Sequence, residues 1–174
     1  MIAVRRAGVA DAAAVLDCLH EAFEPYRSQY TPGAFDDTTL NDATIGSRIT
    51  DLVVFVAVDE GGAIVGTIGW LRIDADEAHV RGMAVRPAAQ GTGVALQLLE
   101  ALEADVRAAG CSRMCLDTTL PLVRATRFYL RHGFVATGRV SDFFGMPMHE
   151  YLKPLSSRVR GRGAGMLDPR AARP

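Results

Sequence analysis

Two neighbouring features restrict the folds open to this chain: a strand that stops at a proline, and a long helix that starts in a glycine-rich turn. Residues 78–85 are β-rich and end at Arg86-Pro87, because proline cannot donate to a strand ladder. Residues 91–109 carry apolar side chains at helical spacing, and Gly110 predicts the end of that helix. Residues 113–117 form the next predicted strand. A helix therefore joins these two strands, which predicts a parallel pair.

The other predicted strands are joined by short turns or by further helices. Residues 52–58 and 63–73 flank the turn DEGG and predict a β-hairpin. Further strands are predicted at 1–6, 134–140 and 148–153. Further helices are predicted after Asp11, which is the candidate N-cap, around Ile45 and Ile49, and at 122–131. Residues 25–41 are predicted as a loop, in which a helical turn stays open. The order βααβββαβαββ predicts an α+β fold, in which a mixed, largely antiparallel sheet contains one parallel, splayed pair and carries helices on both faces.

Length and charge predict one domain and a basic tail. The chain has 174 residues, of which 49% are hydrophobic, enough for one substantial core. We expect a single domain over residues 1–155 and a disordered tail over 156–174, which holds five arginines and one acid. The first 155 residues carry 14 basic and 19 acidic side chains, and this acidic balance disfavours binding to nucleic acid.

Three cysteines are too few and too irregularly spaced for a disulfide framework, and no histidine spacing accompanies them to suggest a zinc site. We therefore expect no metal. The longest dense apolar run, residues 52–58, is too short to span a bilayer. These features favour a cytoplasmic protein that does not enter a membrane.

The turn before the long helix has the composition of a pyrophosphate-binding loop. Small residues expose consecutive backbone N–H groups, and the first helical turn adds the positive end of its dipole. A P-loop is excluded by the lack of Gly-Lys-Thr, and a dinucleotide fold by the lack of a third glycine. An ordinary glycine-rich turn stays open as an alternative. The residues of the loop are Gln90, Gly91, Thr92, Gly93, Val94 and Ala95.

In this loop and in a second motif, the chain resembles the GNAT-family N-acetyltransferases. Their acetyl-CoA loop reads Gln/Arg-x-x-Gly-x-Gly/Ala, which Gln90, Gly93 and Ala95 match. A second resemblance lies in ATRFYLRHGF at residues 125–134, which places Tyr129 shortly before Gly-Phe. The chain departs from the family at Leu122, where an asparagine is frequent, and Arg124 is the candidate to replace the interaction of that asparagine with the cofactor.

The resemblance implies acetyl-CoA as co-substrate and assigns roles to individual residues. Met83, Ala84 and Val85 would bind the pantetheine arm and hold the thioester carbonyl through a backbone N–H, and residues 90–95 would hold the pyrophosphate. Tyr129 would protonate the leaving thiolate. Glu77 is the candidate base, with His79 and water as alternatives.

The function that follows is N-acetylation of a primary amine by direct transfer in a ternary complex. The acceptor is expected to be a small-molecule amine or a peptide N-terminus, and a homodimer through the last strand stays open. A silent acyl-CoA-binding sensor and a nucleic-acid module built on the Arg-Gly tail are the rival hypotheses. A cationic acceptor is favoured by five acids near the expected pocket, Glu21, Glu24, Asp36, Asp37 and Asp42.

Overall fold

The computed structural model describes residues 1–155, so the predicted tail at 156–174 lies outside the described residues. Within residues 1–155, none of the helices has the length and apolar content needed to cross a membrane. The strands are β1 (Ala3–Arg6), β2 (Val53–Val58), β3 (Ile64–Arg72), β4 (Glu77–Val85), β5 (Arg113–Thr119), β6 (Val135–Phe143) and β7 (Met146–Pro154). The α-helices are α1 (Ala12–Phe23), α2 (Pro32–Thr39), α3 (Ile45–Asp51), α4 (Val94–Ala108) and α5 (Val123–Arg131).

The described residues form one seven-stranded sheet in the order β1-β2-β3-β4-β5-β7-β6. β4 and β5 are parallel, and the other neighbours are antiparallel. The β2–β3 hairpin turns at Gly62, whose φ of 83° is a conformation that glycine adopts without strain. The predicted fold class is confirmed.

Helices cover both faces of the sheet, as predicted. On one face α4 buries Leu98, Leu99 and Leu102 against the sheet. On the other face α1, α2 and α3 build a second apolar cluster, in which Val15 and Leu19 are fully buried. Burying each such side chain contributes about 1.5–3 kcal/mol. Apolar packing therefore stabilises the sheet on both faces. A gap between two of its strands would be adjacent to both apolar clusters.

The prediction of a loop over residues 25–41 is wrong. A 3-10 helix occupies Glu24–Gln29, and α2 follows at Pro32–Thr39, so three α-helices precede β2 in the described chain. Thr31 is the N-cap of α2, with its Oγ1 accepting a hydrogen bond of 3.4 Å from the Ala34 N–H, and Pro32 starts the helix. Both are ordinary helix-start signals, but the helix is too short to show a clear apolar period.

Asp11 occupies the N-cap position of α1, as the sequence predicts, but its side chain makes no capping hydrogen bond to that helix. Its carboxylate accepts a hydrogen bond of 2.8 Å from the Gly8 N–H and pairs with Arg5, so it closes the short 3-10 turn that precedes α1. The Arg5 guanidinium and the Gly8 N–H together lower the pKa of Asp11 to about 2. Asp11 therefore links β1, through Arg5, to the turn that precedes α1.

Candidate active site

The parallel pair is joined along only part of its length. β4 and β5 are in register from Glu77 opposite Arg113 to Val80 opposite Leu116. Beyond that point β4 continues against β3, and β5 continues against β7, but the two strands separate. The backbone groups that face the gap therefore lack a strand partner. We call the joined part the closed end and the separated part, Arg81–Val85 facing Asp117–Thr119, the open end.

A bulge in β4 lies where the strands separate. Against β3, Thr67 pairs with Ala84 but Gly69 pairs with Arg81, so β4 contains one residue more than its partner over this stretch. Gly82 lies inside the bulge with a φ of 64°, a left-handed conformation that costs other residues about 1–2 kcal/mol. An extra residue bends a strand and interrupts its pairing. The bulge therefore accounts for the open end.

The open end forms a cleft of about 630 Å³, which lies within the range of small-molecule sites. The cleft is lined from both faces of the sheet. The α4–α5 face contributes the glycine loop and Tyr129, and the α1–α3 face contributes Tyr26, Tyr30 and Arg48. β4 contributes every residue from His79 to Val85, which includes the predicted binding residues Met83, Ala84 and Val85.

The glycine loop presents unpaired donors at one wall of this cleft. Gly91 and Gly93 have φ values of 81° and 91°, and α4 begins at the next residue, Val94. Among the described residues, the N–H groups of Gly91, Thr92 and Gly93 make no main-chain hydrogen bond. A Cβ on Gly91 would meet nothing within 4 Å. The loop therefore offers open space and several donors to an anion at the start of α4.

Hydrogen bonds hold the loop between β4 and α5. The Gln90 side-chain amide donates to the Val85 carbonyl at 3.1 Å, and Arg124 donates to Gln90 Oε1 at 2.7 Å. Arg124 is the residue that the sequence suggested in place of the missing asparagine. Arg127 and Arg131, on the same helix, also line the cleft, and their four-residue spacing was a signal that the sequence interpretation missed.

Tyr129 lies with its ring against Phe128 and Phe134 and its hydroxyl directed at the bulge. The ring centroids are 5.6 and 5.5 Å apart, and the hydroxyl donates to the Met83 Sδ at 3.2 Å. Only 7% of the residue is exposed, and this burial raises the pKa of the phenol. The hydroxyl therefore stays protonated and directs its proton toward a sulfur atom, which is a weak acceptor.

His79 is the titratable β4 residue that lies at the junction of the closed and open ends. Its Nε2 lies 2.9 Å from Asp117 Oδ2, and both residues line the cleft. The two side chains are 20% and 24% exposed. A carboxylate in this position orients the imidazole ring through the hydrogen bond that the two groups share.

Glu77 lies on the same face of β4, two residues farther into the closed end. Its carboxylate pairs with the Arg113 guanidinium across the parallel register. Within residues 1–155 the cleft lining starts at His79 on this strand, so Glu77 is not brought together with Tyr129 and the glycine loop. Its role as the base stays a prediction.

The acids expected to attract a cationic acceptor are largely paired with arginines. Glu21 pairs with Arg86, Glu24 with Arg27, and Asp37 with Arg81. Of the five acids, Asp37 is the one that lines the cleft within the described part of the chain. Arg86, Arg27 and Arg81 therefore offset most of the negative charge near the pocket.

Cys115 follows Met114 in the closed end and is 3% exposed. Burial, with Glu77 nearby, raises its pKa to about 12. Burial also raises the pKa of Cys18 to about 11. Neither thiol is available as a thiolate near neutral pH, which weakens both as nucleophiles.

Comparison with known proteins identifies relatives in sequence and in fold. The IAA acetyltransferase of Azospirillum brasilense is 31% identical over 104 residues, which cover 58% of this chain and 67% of that protein. The PaiA N-acetyltransferase of Thermoplasma acidophilum, solved in complex with coenzyme A, superposes with a TM-score of 0.72 at 17% identity, covering 88% of this chain and 99% of that one. YncA of Salmonella typhimurium, solved with acetyl-CoA, has a TM-score of 0.68 at 21% identity and coverages of 90% and 95%.

The family model described as Acetyltransferase (GNAT) family matches residues 15–134, well over half of the chain. That segment contains the bulged strand β4, the glycine loop and Tyr129. The resemblance inferred from the two sequence motifs is thus confirmed, and the chain belongs to the GNAT family of acetyltransferases.

Proposed function

We propose that this protein transfers an acetyl group from acetyl-CoA to a primary amine, directly, with both substrates bound in the cleft at the open end. One observation carries the proposal: a buried, protonated tyrosine, a donor-rich glycine loop and a histidine–aspartate pair all line a single cleft. The overall reaction forms an N–C bond and breaks a C–S bond. One proton leaves the amine, and one reaches the sulfur.

Acetyl-CoA would supply the activated acetyl thioester, and the chain has groups that fit its charged half. The unpaired N–H groups of Gly91, Thr92 and Gly93, extended by Val94 and Ala95 in the first turn of α4, would hold the pyrophosphate. The exposed arginines of α5 add positive charge on the same side. Coenzyme A and acetyl-CoA in the PaiA and YncA structures support this assignment at the level of the fold.

The bulged strand would bind the uncharged arm and the carbonyl group. At the open end, backbone groups of Met83, Ala84 and Val85 face a gap that no strand fills. A backbone N–H placed at the thioester carbonyl would stabilise the negative charge that develops on its oxygen, an effect typically worth about 3–4 kcal/mol. Gln90 bonds the Val85 carbonyl and so fixes this segment relative to the loop.

Tyr129 is the proposed general acid. Its hydroxyl already donates to a thioether sulfur in the cleft, and a departing thiolate would be a much stronger acceptor than that thioether. Burial raises its pKa, so the proton is present at all physiological pH values. Positioned acids of this kind contribute about 10²- to 10⁴-fold in rate.

His79, oriented by Asp117, is favoured over Glu77 as the group that accepts the amine proton. It lines the cleft, whereas Glu77 is engaged with Arg113 in the closed end. Glu77 could still act from two residues away through water along the strand face. The two candidates differ in which substitution, at His79 or at Glu77, should change the pH–rate profile.

The test is an assay of thiol release with acetyl-CoA and a panel of primary amines, in parallel with calorimetric titration of acetyl-CoA. We expect acetyl-CoA to bind and at least one amine class to accelerate thiol release well above hydrolysis. Binding of acetyl-CoA without faster thiol release in the presence of any amine would favour the acyl-CoA sensor over the enzyme. Failure of acetyl-CoA to bind would overturn the proposal.

A further inference from the structure

Arg48 is a cation in the cleft that the acetyl-transfer scheme does not use. It lies on α3 and lines the cleft on the α1–α3 face. Among residues 1–155, no carboxylate lies within ion-pair distance of its guanidinium, and its side chain makes no hydrogen bond. None of the unpaired nitrogens of Arg48 is fully buried, so they keep contact with solvent.

Most other arginines of the described chain are paired with a carboxylate or a carbonyl group. Two that are not, Arg127 and Arg131, are exposed to solvent on α5, where water satisfies them. Arg48 is only partly exposed, and burial lowers its pKa, with a further contribution from the neighbouring Arg81. A guanidinium in such a place has five donors that no described protein group satisfies, so it can donate to an anion that enters the cleft.

The bulge that opens the cleft also makes room for this guanidinium. A Cβ built on Gly82 would lie 2.5 Å from Arg48 Nη1. The glycine therefore serves two purposes: it adopts the left-handed φ of the bulge, and it leaves space for the charged end of Arg48 against the β4 backbone. Arg48 is thus held at the start of the open end, with Arg81 as a neighbouring cation.

Of the two neighbouring arginines in this part of the cleft, Arg48 is the one that no described carboxylate engages. Asp37 Oδ2 lies 3.5 Å from Arg81 Nη2, so this acid is engaged by the second arginine and offsets one of the two cations. A single guanidinium of this kind matches a monoanion better than a phosphate group. A guanidinium also offers parallel donors that fit a carboxylate in a two-point hydrogen bond.

We propose that the acceptor carries a carboxylate as well as its amine, and that Arg48 binds this carboxylate. The inference rests on the proposed acetyl transfer and narrows its substrate class to amino acids and similar amino-carboxylates. Phe23, Tyr26, Tyr30 and Phe143 line the same part of the cleft and would contact an apolar side group. A polyamine, which has no carboxylate, would place positive charge beside an unpaired guanidinium and is disfavoured.

The first test uses the unmodified protein and matched acceptors. Thiol release is measured with the protein amino acids, with the corresponding amino-acid amides, and with the corresponding decarboxylated amines. We expect the acids to exceed their amides by about 10- to 100-fold in kcat/KM, the loss typical of removing one partner of a charged hydrogen bond. Equal or better activity with amides or simple amines would overturn the proposal.

The second test changes the arginine. Arg48→Gln should remove most of the preference by lowering kcat/KM for the best acid about 10- to 100-fold, while its amide changes by less than about threefold. Arg48→Lys keeps the charge and should lose less. Arg107→Gln, on the helix of the opposite face and paired with Glu103, is the matched control and should behave as wild type. An equal loss for acid and amide in Arg48→Gln would show a structural role instead and overturn the proposal.

Folding and binding measurements separate the remaining outcomes. If Arg48→Gln melts early, the comparison of acids with amides on the unmodified protein decides alone. If no amine releases thiol, acetyl transfer fails, and the subsite is then tested by calorimetric titration with N-acetyl amino acids and their amides. Binding of the acids alone, lost in Arg48→Gln, would support the carboxylate subsite without the proposed function. Equal binding of the acids and the amides, or no binding of either, would overturn the proposed carboxylate subsite.

Discussion

The closed and open ends of the β4–β5 pair are built from the same two strands and differ in what their charges do. In the closed end, Glu77 and Asp76 both contact Arg113, and Asp76 also accepts a hydrogen bond of 2.9 Å from Ser112. These charges are satisfied by one another across the paired strands. They hold the strands together and leave nothing available for a ligand.

In the open end the polar groups face a cavity instead of each other. The backbone of β4 has lost its β5 partner, Tyr129 donates to a weak acceptor, and Arg48 has no described partner. One inserted residue at Gly82 separates the two situations. The strand face alone therefore does not place an acidic residue in the cleft, because the pairing register decides whether its side chain lines the cavity or meets another side chain.

Among the variants of the open end, Gly93→Asp should cause the largest loss of acetyl-CoA binding. The new carboxylate would stand where the pyrophosphate is proposed to bind, and like charges in contact cost several kcal/mol, so acetyl-CoA affinity should fall at least about 100-fold. Gly110→Asp is the matched control, since Gly110 has a φ of 87° at the other end of the same helix. Both variants should lose similar thermal stability, but only the first should lose acetyl-CoA binding by calorimetry. Equal acetyl-CoA affinity in the two variants would contradict the assignment of the loop.

Tyr129→Phe should remove the acid while leaving the cleft intact. We expect kcat to fall about 100-fold and acetyl-CoA affinity to stay within about threefold, because the lost interaction belongs to the transition state. Since burial raises the pKa of Tyr129, its proton is retained as pH rises, and it should cause no loss of wild-type activity up to about pH 10. Tyr151→Phe, on β7, serves as control. Full activity in Tyr129→Phe would remove the assignment.

The pair His79→Asn and Glu77→Gln compares the two ends directly. If His79 accepts the proton, His79→Asn should lower kcat/KM about 10-fold at neutral pH and recover as pH rises, because more of the amine is then already neutral. Glu77→Gln should instead change kcat/KM less than about threefold and lower the melting temperature slightly, through loss of its partly exposed ion pair with Arg113. The reverse pattern in pH–rate profiles would return the role to Glu77.

The smallest effect is expected from thiol reagents. Burial raises the pKa of Cys115 to about 12, so its thiolate is scarce at pH 7 and becomes abundant only as pH approaches that value. Iodoacetamide at neutral pH should therefore leave activity unchanged over the time in which a small free thiol is fully modified. Rapid inactivation, with Cys115 modified by mass spectrometry, would argue for a covalent acyl intermediate in place of direct transfer.

The sequence was most informative where structure is local. The hairpin around Gly62, the glycine loop and α4 all follow from turn residues and apolar periodicity over short windows. The helix α2 was missed although Thr31 and Pro32 signal its start, because eight residues hardly establish a period. A more consistent use of capping signals would have found it.

The site was less accessible, because it depends on contacts between distant segments. Strand alternation places Glu77 and His79 on the same face, and only the register against β5 shows which one lies at the opening. Gly82 is a visible signal of a bulge, but its effect depends on pairing with β3. No sequence pattern indicated a role for Arg48, because its approach to Gly82 brings together residues that are far apart in the chain.

The cleft passes between two strands and is lined from both faces of the sheet. If the protein acts as proposed, the acyl donor would lie beside the glycine loop and α5, and the amine would lie beside α1 and α3. Each ligand would then contact its own set of structural elements. Substitutions around α5 should then alter the Michaelis constant of the acyl donor, and substitutions around α3 that of the amine, almost independently. Each specificity could thus change in evolution without disturbing the other.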